Sequence, residues 1–132
     1  MSGCVGQIDN KLIGSWKSNR EKSVAECFKV VPSRHNLEPD KQQRFAEIFG
    51  NITQTYTENE VTIESKGEIF TVSYKVVERG KNYLVVEYLP EISPEEKIQY
   101  TLRFEDNFNS YWVNEGTDFP ENYTKIQKRL TN

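Results

Sequence analysis

The sequence predicts a mainly β protein, an eight-stranded antiparallel barrel with two short helices between its first and second strands. Three observations predict it. After Gly50, apolar residues recur with period two in seven successive short segments. The connections between those segments are mostly short, which favours sequential hairpins over parallel crossovers. A run of hairpins also leaves two unpaired edges, and closing it into a barrel removes both.

LIGSWKS (12–18) reads as the first strand. Ser18 and Glu21 have the spacing of a capping box, in which each side chain satisfies a free backbone N–H at a helix start. REKSVAECFKVV then places Val24, Cys27, Phe28 and Val31 on one helical face, and Pro32 ends the helix. Pro39 and Asp40 suit the first turn of a second helix. Phe45, Ile48 and Phe49 make its apolar face, with Gly50 as its stop.

The remaining strands are expected at 52–57, 61–65, 68–78, 82–89, 97–105, 110–114 and 122–130. KIQYTLRFE alternates most cleanly, with Ile98, Tyr100, Leu102 and Phe104 inward and Gln99, Thr101, Arg103 and Glu105 outward. PEISPEEK (90–97) reads as an exposed acidic loop. Residues 1–10 are expected to form a flexible N-terminal tether to a single barrel domain, 11–132.

With 132 residues there is room for one core. The net charge of −3 comes without any run of Lys or Arg, so neither nucleic-acid binding nor a basic membrane-surface helix is expected. No apolar stretch approaches the ~20 residues of a membrane-spanning helix. The outlier is aromatic content, 7 Phe, 7 Tyr and 2 Trp, which suits the pleated surface of strands. Cys4 and Cys27 are too few for a disulfide scaffold, and Cys27 is expected as a buried thiol. His35, the only histidine, reads as a loop residue, so no metal, cofactor or catalytic triad is expected. The chain is therefore read as non-enzymatic.

Tyr56, Phe70, Tyr74, Tyr100, Phe104 and Trp112 are candidates to line a pocket for a small apolar molecule, or else to fill the barrel outright. Glu87 is a candidate to fix a ligand's charged end, or else an outward-facing residue, since its strand is apolar on both faces and leaves its direction open. Phe28 and Phe45 are candidate lid residues gating the cavity. The alternative is a filled barrel acting as a protein-interaction module, through the Glu91–Glu96 loop and the exposed helix face.

Gly14-x-Trp16 in a first strand, followed by a helix pair and a strand meander, resembles the lipocalin and fatty-acid-binding-protein (calycin) superfamily. The resemblance implies that Trp16 sits at the closed end, with a basic residue from the last strand across its indole. In YTKIQKRL, Arg129 is the first candidate and Lys125 the second. The Arg-x-Tyr pair by which the fatty-acid branch holds a ligand carboxylate is missing from the last strand. The likeness is nearest to small bacterial lipocalin-like lipoproteins of unassigned function, where Ser-Gly-Cys precedes a linker and Gly-x-Trp-x-Ser. Ser2-Gly3-Cys4 matches that ending, so Cys4 is the candidate for lipid attachment. A bacterial envelope location follows if a signal segment once preceded it, and a cytoplasmic one otherwise. A monomer that meets a membrane only through that lipid is expected.

Overall fold

Eight antiparallel strands pair in chain order and close on themselves. They are β1 (Gly14–Ser18), β2 (Ile52–Tyr56), β3 (Glu60–Ser65), β4 (Glu68–Arg79), β5 (Tyr83–Leu89), β6 (Ile98–Glu105), β7 (Ser110–Val113) and β8 (Glu121–Lys125). The computed structural model describes residues 7–89 and 98–126. Closure is made by β1 against β8, with Trp16 opposite Lys125 and Ser18 opposite Tyr123. The expected fold class is therefore the observed one. Each hairpin follows local chemistry: between β3 and β4, Lys66 and Gly67 both take positive φ, 50° and 85°, the two-residue turn whose twist matches that of the strands.

The inward positions of the strands meet in one core of Leu12, Trp16, Tyr56, Val61, Tyr74, Leu84, Val86, Tyr88, Leu102, Phe104, Tyr111, Val113 and Tyr123. One register shift, between Val76 and Glu78, marks a bulge in β4. Such an extra residue increases local bend, which a long strand needs to follow a barrel wall.

Among the described residues three helices accompany the barrel: α1 (Gln7–Leu12), α2 (Arg20–Val30) and α3 (Pro39–Ala46), with a 3₁₀ turn at Pro32–Asn36. Only α2 and α3 were expected. α1 takes up part of the segment expected as a tether, and six residues are too few to hold a helix alone. Tertiary contacts hold it: Asp9 takes both guanidinium bonds of Arg79 at 2.8 Å, and the Trp16 indole N–H donates to the Leu12 carbonyl at 2.9 Å.

The start of α2 also differs from expectation. Asn19, not Ser18, caps it, accepting from the Lys22 N–H at 3.1 Å. Ser18 is occupied elsewhere, donating to Glu121 Oε2 and accepting from the Gly50 N–H. α3 ends at Ala46, earlier than the expected Gly50 stop, and the chain turns through Gly50 at φ 86°.

α2 lies along the outside of β8. Ser23 Oγ accepts from the Asn122 N–H at 2.9 Å, and the buried Cys27 thiol donates to the Pro120 carbonyl at 3.4 Å. Burial pushes that thiol's pKa up. β8 is consequently covered on its outer face, and all four residues of the neighbouring β7 are buried.

Candidate functional site

The barrel is filled at one end only. At the closed end, the Trp16 ring lies 4.9 Å from Tyr111 and 6.0 Å from Phe104 between centroids, and Phe108 packs 5.4 Å from Phe104. Lys125 Nζ sits 5.5 Å from the Trp16 centroid. Gly14 permits that crossing: its φ is +134°, and a Cβ there would come within 3.2 Å of the Lys125 stem. The second-choice basic residue thus occupies the indole face, because it stands opposite Trp16 in the closing register. Arg129 lies outside the described residues, as do Cys4 and the Glu91–Glu96 loop.

Above this plug lies a layer of phenols. The Tyr56 and Tyr88 hydroxyls are 2.5 Å apart, and Tyr111 donates to Gln54 Oε1 at 2.6 Å, with Tyr56 reaching the same oxygen at 3.4 Å. Burial lifts the pKa of Tyr56 and Tyr111 well above the usual phenol value, and that of Tyr88 to about 12. All three are therefore neutral donors at neutral pH, and they satisfy one another.

Beyond the layer the barrel opens into a cavity of about 770 Å³. Its apolar wall includes Ile52, Ile63, Phe70, Val72, Ile98 and Leu102. Tyr100 and Tyr123 add rings, and Gln54, Thr71, Asn114 and Glu121 add polar groups. Phe70 is 52% exposed and stands at the rim. Glu121 projects inward in phase with Tyr123, accepting from the Ser18 hydroxyl at 2.5 Å and from Tyr123 at 3.4 Å. Its pKa is raised, because desolvation outweighs those two bonds.

Of the candidate pocket residues, Tyr56, Phe70 and Tyr100 line this cavity. Four others do not. Phe104 belongs to the closed-end plug. Tyr74 is turned toward the same end, donating to the Thr57 carbonyl at 2.6 Å and meeting Tyr56 edge-on. Trp112 alternates with the core residues Tyr111 and Val113 and so faces outward, opposite Asn122 on the flank that α2 covers.

Glu87 alternates with Val86 and Tyr88 and also faces outward. It is only 6% exposed because it sits in a cross-strand row with Lys75, 3.5 Å away, and Gln99, which donates to it at 3.0 Å. An apolar strand with two buried faces hid its phase. Phe28 and Phe45 do not gate the cavity either. They pack on each other at 5.8 Å, within a cluster that includes His35 and Phe119 on the barrel's flank. The Arg34 guanidinium lies 4.7 Å from both the Phe45 and Phe119 rings.

Gln54, Tyr88, Tyr123 and Glu121 also line the cavity, without being among the residues expected there. Gln54 carried a readable signal, an amide in phase with Ile52 and Tyr56 on an inward face. Glu121 fell one residue before the expected start of the last strand. Among the described residues no group of three His, Cys, Asp or Glu is placed to hold a metal ion.

No family profile matches the chain, and no curated protein and no solved structure matches it either.

Proposed function

We propose that the protein is a non-enzymatic binder of a small apolar or amphipathic ligand, held in the open half of a lipocalin-like barrel. The single observation that carries this reading is the cavity of about 770 Å³. Pockets for small molecules commonly run to about 300–1,000 Å³ and pair apolar walls with a few oriented polar groups. Affinity would come mainly from apolar area removed from water, with the phenol layer as a rigid floor. The cavity also speaks against the filled-barrel alternative, in which function is confined to the surface. Trp16 under Lys125 beside Gly14 supports the lipocalin-like relationship.

Native mass spectrometry of the purified chain tests the reading, together with uptake of an apolar fluorophore. A mass excess lost on denaturation, or saturable uptake abolished by Val72→Phe, is the expected result. No bound mass and no uptake by the folded protein would overturn it. Attachment to a bacterial envelope through Cys4 rests on Ser2-Gly3-Cys4 alone. Metabolic labelling with an alkynyl fatty acid tests it, and label that persists in Cys4→Ser refutes it.

A further inference from the structure

Glu121 is the one carboxyl or basic side chain among the described residues lining the cavity. Among the described residues it makes no ion pair, and among them no basic group acts on its pKa. Its partners are two hydroxyls, one on each oxygen, from Ser18 and Tyr123. A carboxylate can accept about four hydrogen bonds, so acceptor capacity is left over. A barrel that merely needed to fasten β1 to β8 at this point would be served by a neutral amide, without the cost of desolvating a charge.

Aromatic rings share the cavity with that carboxylate. Tyr123 is next to it, and Tyr88 and Tyr100, with ring centroids 5.2 Å apart, line the same space with Phe70. Ring faces attract cations. In a closed barrel of eight strands, β8 stands opposite β4, so the apolar Phe70 and Val72 face Glu121 across the cavity. Glu121 therefore has the Tyr123 ring beside it and an apolar wall that includes Phe70 and Val72 across from it. An anionic ligand would bring like charge toward an uncompensated carboxylate, which discriminates against it.

Resting on the ligand-binding reading above, we infer that the cavity selects a protonated amine carried on an apolar body, with the ammonium seated against Glu121. An ammonium offers three donors and a compact charge, which match the free acceptor sites and the surrounding rings. Such a pair in a half-dry site contributes chiefly to selectivity among ligands of equal apolar size.

The test compares decylamine, decanol and decanoate, each below its micelle concentration, by calorimetry on the full chain at neutral pH. Decylamine is expected to bind most tightly and decanoate least. Glu121→Gln is expected to weaken decylamine roughly tenfold or more while leaving decanol unchanged, so decanol also reports that the variant is folded. Decanol binding the native chain as tightly as decylamine would overturn the amine selectivity and leave the cavity reading standing. So would a Glu121→Gln variant that weakens all three probes alike. If none of the three binds, both readings fall.

Discussion

At the closed end of the barrel Leu12, Trp16, Phe104 and Tyr111 leave no usable space, whereas at the mouth Ile52, Ile63, Phe70 and Ile98, on the same continuous sheet, border about 770 Å³ of it. The difference lies in ring size and in what covers each end. The closed half is filled by aromatic rings and sealed by α1, which Arg79 and Trp16 tie down. The mouth mixes aliphatic side chains with single rings and polar groups, and α2 and α3, expected as its lid, are placed on the flank. α2 is held there because Ser23 and Cys27, on its buried face, bond to the Asn122 N–H and the Pro120 carbonyl beside β8. A helix pair between the first two strands does not by itself make a lid; the hydrogen-bonding groups on its buried face decide where it docks.

Substitutions should divide along this line. Trp16→Ala removes a fully buried ring and the bond to Leu12, and is expected to cost about 3–5 kcal/mol in chemical denaturation, a large part of a small domain's stability. Tyr111→Phe keeps the ring but deprives Gln54 of its shorter donor, at about 1–2 kcal/mol. Ile63→Ala, in the open half, borders space that already exists and should cost about 1 kcal/mol or less, measured the same way. A loss at Ile63 equal to that at Trp16 would erase the distinction between plug and cavity.

The smallest effect has a size that depends on pH. The folded-state pKa of Glu121 is raised, so its protonated form adds stability at pH below the ordinary carboxylate value. That contribution is lost as pH rises through the folded pKa. The ligand-free Glu121→Gln variant should therefore melt slightly above the native chain at neutral pH. The gain should shrink toward zero as acid protonates Glu121. Melting curves across that range check it, and a pH-independent difference would mean the carboxylate is not desolvated as described.

How much of this was readable differs from residue to residue. Gly14-x-Trp16 told of the closed end, and the clean alternation of β6 told correctly that Leu102 and Phe104 point inward. Arg103 was rightly placed outside, where it makes a paired bond to Glu115 at 2.7 Å. Glu87 and Trp112 were misplaced because both faces of their strands are buried, so hydrophobicity carries no phase there. Ser18 looked like a cap because a spacing rule cannot know that Glu121, 103 residues away, competes for the same hydroxyl.

The sequence by itself determined the number and order of strands and the short antiparallel turns. These depend on period, turn residues and neighbours along the chain. Only the tertiary structure decided that Lys125 covers Trp16, that the helices lie on the flank, and that half the barrel is open with Glu121 inside it. The stagger between strands becomes fixed when β1 meets β8, and that stagger sets which inward side chains share a layer. Space inside a barrel is what remains after every strand has contributed its residues, so no single stretch of sequence can encode it.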